Sequence, residues 1–251
     1  LIVAITVILG FVSFSVPILG MFAEFFCAVP LAVLTTRQGS GKGLTALVVS
    51  FILLAMLISP VPAIRLVLGF GICGVVLGWC IRENFGAVRI FFTVLVASSA
   101  AQVLILAILI IVLDVNLIDV QMEMLRESFD ESFAMYESMG VDEARISEAK
   151  AQVDPALQTL SLLMPTLIMV SSVINAVAAW LTGHWIFPKL QLKIPTLPLF
   201  AEWRFPVLFF YTAIIGGLGM YWGFTRGWTE IQEISLNLLA VSMIIGFLQG
   251  L

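Results

Sequence analysis

Charge is the scarcest property of this 251-residue chain: 11% of its residues are Asp, Glu, Lys or Arg, against 61% hydrophobic ones. Ordinary soluble domains carry about 25% charged residues, so this composition excludes that class, and a mean hydropathy of +1.12 assigns the chain to lipid. Histidine is rarer still. With His184 alone, a helical HExxH zinc site is excluded, and a serine nucleophile has no base oriented by a nearby acid. The three cysteines, Cys27, Cys73 and Cys80, fall in apolar stretches; they give neither a disulfide framework nor metal-ligand spacing and read as thiols packed like small hydrophobes. No aspartate lies within the apolar runs, which removes an intramembrane aspartate pair. Gly39-Ser40-Gly41-Lys42-Gly43 lacks the GxxxxGK[ST] spacing and any preceding strand, and reads as a flexible cytoplasmic turn. No catalysis, metal, cofactor or nucleic-acid partner is therefore expected.

What the chain does have is long apolar runs. A bilayer core of about 30 Å takes about twenty helical residues to cross, and that ruler places spans at 1–15, 17–36, 43–60, 62–82, 88–113, 159–186, 206–223 and 233–251. The expected fold is all-α, a polytopic transmembrane bundle of about eight spans forming one domain over residues 1–251, with the lipid bilayer as first partner. The first division is open to two readings, because Ser13, Ser15 and Pro17 mark either a turn between two short helices or a kink in one long one. No basic segment precedes the first run and no small-residue cleavage site follows it, so a cleavable signal peptide is not expected. The ends at Leu1 and Leu251 read as trimmed from a longer protein.

Basic residues set the threading, since Lys and Arg accumulate in cytoplasmic loops. Arg37 and Lys42, Arg82 and Arg89, and Lys189, Lys193 and Arg204 mark alternate loops. Both termini are then expected on the cytoplasmic side of a cell membrane. On the other side lie the uncharged turn Ser59–Pro62 and an acidic insert over 114–157. That insert holds eleven Asp and Glu against Arg126, Arg145 and Lys150, a balance of minus eight. Met122, Leu125, Phe129, Phe133 and Tyr136 recur at helical spacing; Gly140 ends that helix, and Asp142 is the N-cap of a second, with Ile146, Ala149 and Val153 as its apolar stripe. The insert reads as an extracytoplasmic amphipathic hairpin. Either it forms a lid over an outward-opening cavity or it covers only its own apolar face.

Polar side chains inside the spans are the candidate contacts for a ligand. Glu24 is the one carboxylate there away from a span end, about 10 Å deep at 1.5 Å per residue, and needs a proton, a cation or a hydrogen-bonding neighbour. Ser98, Ser99 and Gln102 share one face of the fifth span, and Ser171, Ser172 and Asn175 one face of the sixth. Gln102 and Asn175 either hydrogen-bond across the two helices as packing glue or line a cavity. Gly69, Gly71, Gly74 and Gly78 in the fourth span and Gly216, Gly217 and Gly219 in the seventh mark close helix approach, with a broken helix at Gly216–Gly217 as the alternative. Arg65 is read as snorkelling to water, with no function assigned.

Residues 188–206 form an interfacial elbow in which three prolines forbid a continuous helix and Phe200, Trp203 and Phe205 suit the membrane surface. Pro195, Pro198, Phe200, Trp203 and Arg204 are its candidate partner-docking residues. The pattern formed by Pro195, Pro198, Phe200, Trp203, Arg204 and Pro206, the acidic hairpin before the sixth span, and Pro17 and Pro30 around a Leu-Ala-Val-Leu helix end resembles the YybS-like family of uncharacterised bacterial membrane proteins, a domain of unknown function. The likeness covers nearly the whole chain. That family is similar at fold level to the substrate-binding S components of energy-coupling-factor vitamin transporters and to the cell-shape membrane protein MreD. The resemblance implies six spans around an outward-opening pocket, two added spans, and an energising ATPase module supplied by other subunits. One departure is that Ala4 is followed at the fourth position by Ile8, where many S components have an AxxxA contact. Two functions follow as expectations: binding of a small-molecule nutrient for uptake, with Glu24, Ser98, Gln102, Ser171 and Asn175 as contacts, or a noncatalytic scaffold that recruits membrane partner proteins.

Overall fold

The computed structural model describes residues 1–114, 116–196 and 208–250. Every regular element among them is helical. The chain divides into two compact units, residues 1–114 with 168–197 and residues 115–167 with 198–251.

In the first unit, α1 (Ile2–Ser15) ends at Val16, whose extended backbone (φ −122°, ψ 103°) is what a residue preceding proline favours. Pro17 then opens α2 (Pro17–Phe26) at a position where its missing N–H costs nothing. The chain folds back here: a Cβ on Gly20 would collide with the Ser13 carbonyl. Residues 1–36 therefore contain a turn between two short helices, not a kink. A second break falls at Cys27, because Pro30 has no N–H for the Phe26 carbonyl and the Cys27 N–H turns to Glu24 at 3.1 Å. From there α3 (Ala28–Gln38) runs to Gly39, whose φ of +95° is open to glycine and starts α4 (Ser40–Leu57).

Beyond Ser59, α5 (Pro60–Leu66) passes through a π-helical turn, Val67–Gly71, into α6 (Ile72–Arg82). The glycines here admit neighbouring backbones. A Cβ on Gly74 would meet the Ala28 carbonyl and one on Gly78 the Ala32 carbonyl, so α3 and α6 touch main chain to main chain. Thr36 Oγ1 also donates to the Gly78 carbonyl at 3.2 Å. Next, α7 (Ala87–Leu113) ends where Asp114 adopts φ +50°. The last element, α10 (Met164–Ile186), belongs to this unit from Ile168 onward and closes in a short 3-10 turn, Pro188–Leu190. Leu31, Leu54, Ala63 and Val67 lie in the core, while Ile111, Met56 and Val96 are 79%, 81% and 67% exposed. Such outward apolar surface suits lipid as the surrounding solvent.

In the second unit, α8 (Leu117–Ser138) starts on Asn116, whose Oδ1 accepts from the Ile118 N–H at 3.1 Å. Gly140 turns the chain at φ +78° and Asp142 caps α9 (Glu143–Leu162) through the Ala144 N–H at 3.2 Å. Arg126–Asp154 at 2.6 Å and Lys150–Glu137 at 2.9 Å join α8 to α9. Phe133, Ile146 and Leu157 are buried, whereas Phe129 and Tyr136 are exposed. The sequence boundary at 157 moves: α9 continues through Pro155 to Leu162, and α10 begins after the break at Leu163. The other pair is α11 (Leu208–Arg226) and α12 (Thr229–Gly250), packed through Gly216 against Leu239, Gly219 against Ser235 and Gly223 against Gln232. No break occurs at Gly216–Gly217; α11 runs straight through.

Five helices among the described residues are long and apolar enough to cross a membrane: Ser40–Leu57, Pro60–Arg82, Ala87–Val112, Met164–Ile186 and Thr229–Phe247. The expected spans 1–15 and 17–36 fall on α1 and the broken α2–α3 pair, which do not meet that measure, and the expected span 206–223 begins outside the described residues and continues on α11.

Candidate functional site

The candidate contacts sit on α2, α7 and α10. Two aromatic contacts fix α2 in place: Phe25 meets Phe70 of the π-turn edge-on with ring centres 6.1 Å apart, and Phe26 meets Trp185 at 6.0 Å. Thr182 Oγ1 also donates to the Phe25 carbonyl at 3.5 Å. Between these contacts and the break at Cys27, Glu24 is held half-buried. The cation acting on its carboxylate is Arg65 of α5, which is exposed and farther away than an ion pair. The sequence assigned Arg65 no role; the signal was depth, since Glu24 and Arg65 both lie within the first eight residues of the expected spans 17–36 and 62–82, which run in the same direction.

On α7, Ser98 is fully buried and Ser99 and Gln102 are half-buried. Ser99 donates to the Leu95 carbonyl of its own helix at 3.0 Å. Ser98 faces the Cys73 thiol of α6, whose hydrogen goes to the Gly69 carbonyl at 3.1 Å; among the described residues the Ser98 hydroxyl has no hydrogen-bond partner. On α10, Ser171 and Ser172 both donate to the Ile168 carbonyl, at 2.9 and 2.8 Å, and Asn175 is buried at 6% exposure. Among the described residues no hydrogen bond joins Gln102 to Asn175, and neither amide has another partner. Pro195 is half-buried beyond the 3-10 turn; Pro198, Phe200, Trp203 and Arg204 lie outside the described residues.

Two cavities among the described residues are lined by other groups. One, of about 10 Å³, lies among Thr6, Gly10, Cys27, Leu31, Leu54 and Gly71 and is apolar apart from Thr6, whose hydroxyl is spent on the Ile2 carbonyl at 3.1 Å. The other, of about 230 Å³, is an open groove on the α8–α9 pair lined by Phe133, Tyr136, Val141, Arg145, Ile146 and Ala149.

Apolar helices with outward hydrophobic surface define an all-helical, multi-pass membrane protein. No curated protein and no solved structure matches the chain. Residues 4–251 match the model of a family described as Predicted membrane protein (DUF2232), and the chain belongs to that family.

Proposed function

We propose that the protein binds a small polar molecule for uptake, in the manner of an S component, with Glu24, Ser98, Gln102, Ser171 and Asn175 as the contacts. The observation that carries this reading is the set of polar groups without partners. Ser98 is fully buried, and its hydroxyl, like that of Ser50 on α4, has no hydrogen-bond partner among the described residues; Asn175 is 6% exposed. A polar group desolvated without a hydrogen bond costs about 1–3 kcal/mol, and a ligand supplying donors and acceptors offsets that cost. In this reading the chain crosses the bilayer eight times with both ends cytoplasmic, the α8–α9 hairpin extracytoplasmic, the elbow at 188–206 on the cytoplasmic side, and an ATPase module contributed by other subunits.

Native mass spectrometry of the purified protein tests it. A retained small molecule that disappears in Glu24→Ala or Asn175→Ala is the expected result; a wild-type protein that is empty overturns it.

A second reading, a noncatalytic scaffold of the MreD kind, is favoured by one observation: the roomier cavity lies on the α8–α9 surface rather than beside the buried amides. Here the amides only pack helices, and the elbow, with Pro195, Pro198, Phe200, Trp203 and Arg204, recruits membrane partner proteins. An empty protein that pulls down such partners, and loses them on Trp203→Ala, supports it.

A further inference from the structure

The turns that close one end of the first unit gather six cations. Arg82 Nη1 lies 3.4 Å from the point where a Cβ on Gly39 would sit, so the end of α6 meets the α3–α4 turn. Arg37 Nη2 donates to the Leu190 carbonyl at 3.1 Å, which brings the Pro188–Leu190 turn to the same place. Arg37, Lys42, Arg82, Arg89, Lys189 and Lys193 thus share these turns with one carboxylate, Glu83. None of the six is ion-paired among the described residues, where both ion pairs lie between α8 and α9.

Three of the six are otherwise engaged. Arg37 holds the Leu190 carbonyl, Arg89 lies 3.8 Å over the Phe85 ring and Lys189 lies 3.6 Å over the Trp185 ring. Cation–aromatic pairs of this kind suit the headgroup layer, where the ring faces hydrocarbon and the charge faces water. Lys42, Arg82 and Lys193 are exposed and have no such contact, and of these Lys42 and Arg82 flank Gly39. Nothing lies within 4 Å of a Cβ built on Gly41, beside Lys42, so the space there is open.

An apolar track leads away from that space. Val49, Leu53 and Met56 follow Lys42 on the same face of α4, seven, eleven and fourteen residues on, and are 39%, 40% and 81% exposed. At 1.5 Å per residue the track runs about 21 Å from Lys42 to Met56, about two thirds of a hydrocarbon core of about 30 Å. Charge at one end and an acyl-length apolar stripe below it match one kind of ligand. We propose that Arg82 and Lys42 bind the phosphodiester of an anionic phospholipid whose acyl chain lies along Val49, Leu53 and Met56. The stripe favours a lipid over free phosphate, which has nothing to place on it. The site requires only that these helices lie in a bilayer and is independent of the ligand proposed above.

The test titrates the detergent-purified chain with dioleoyl phosphatidylglycerol, dioleoyl phosphatidylethanolamine or inorganic phosphate and counts adducts by native mass spectrometry. Phosphatidylglycerol is expected to bind more tightly than phosphatidylethanolamine and to resist displacement by inorganic phosphate. Each basic residue removed is expected to weaken it about fivefold, so Lys42→Gln with Arg82→Gln weakens it about 25-fold, and Val49→Gln weakens it as well. Arg226→Gln, which removes the same charge from another loop, is expected to leave it unchanged. Equal binding of the two lipids, equal loss in Arg226→Gln and the double variant, or displacement by inorganic phosphate overturns the proposal. Should the double variant fail to fold, salt decides on the wild type: phosphatidylglycerol affinity that is the same at about 50 and about 500 mM NaCl, where the screening length shortens about threefold, also overturns it.

Discussion

Asn237 of α12 ties together the two sides of the break between α9 and α10: its Oδ1 accepts from the Thr166 N–H at 3.1 Å and the Thr166 hydroxyl at 2.7 Å, and its Nδ2 donates to the Leu162 carbonyl at 2.7 Å. Leu162 ends one helix and Thr166 sits in the first turn of the next, so these groups lack the partners a continuous helix gives. Pro165 between them has no N–H to offer.

Replacing Asn237 by Ala leaves a helix-end carbonyl and a helix-start N–H unpaired. The expected destabilisation is about 2 kcal/mol, above the average of about 0.6 for a single interhelical bond in a membrane protein because several bonds go at once. Thr166→Val, which keeps the main-chain bond, is expected to cost about half as much. Reversible unfolding in mixed micelles measures both.

Gly74 and Gly78 are places where added bulk meets backbone. A methyl at either would strike a carbonyl of α3, and a carbonyl cannot swing aside as a side chain can. Gly74→Ala and Gly78→Ala are each expected to lower stability by about 1–3 kcal/mol, whereas Gly41→Ala, with nothing within 4 Å, stays within about 0.5. Thermal unfolding in detergent ranks the three.

The Glu24–Arg65 relationship predicts an asymmetry. Losing Arg65 strands a half-buried carboxylate in an apolar setting, while losing Glu24 leaves an exposed guanidinium that reaches water along its own stem. Arg65→Gln should therefore destabilise more than Glu24→Gln, and a double-mutant cycle should give a coupling of up to about 1 kcal/mol. Equal single-mutant effects with zero coupling would show that the two charges do not sense each other.

Within the α8–α9 pair, burial should outweigh charge. Ile146 is 5% exposed, whereas the Arg126 and Asp154 side chains are 52% and 65% exposed. Ile146→Ala is expected to cost about 2–4 kcal/mol and Arg126→Ala less than about 1. Hydrogen exchange of the α8 amides reads the difference directly.

Ser50 and Ser98 hydroxyls are fully buried without a partner. In the ligand-free protein, Ser50→Ala and Ser98→Ala are each expected to raise stability by about 1 kcal/mol, because removing an unsatisfied group recovers its desolvation cost. Loss of stability in both would indicate that the hydroxyls have partners.

Local chemistry was the legible part of this fold. Gly140 and Asp142 specify the turn and cap between α8 and α9 within four residues, whereas Pro17 marks a break after α1 but leaves a turn and a kink both open. What depended on distant residues was not legible. The end of α9 is set by Pro165 together with Asn237, which lies 71 positions beyond Thr166, and no window around 157 contains that information. The candidate site was readable as residue types, because polar groups are rare in these helices. Their pairing was not: Ser171 and Ser172 turn back to Ile168 of their own helix, and Ser98 faces Cys73 instead of an amide. Helical spacing fixes which residues share a face and says nothing about which carbonyl a hydroxyl will choose.

The π-helical turn at Val67–Gly71 sets the azimuth of everything that follows it. Such a turn holds one residue more than the α-helical path requires, so excising Leu68 would let the segment close as an ordinary helix and rotate α6 by about 100°. The glycine row would then swing away from the α3 carbonyls, and Cys73 away from Ser98. A length change of one residue here would be felt as a reorientation of half a helix, whereas the same change in the loop at Gly86, with open space around it, would be absorbed.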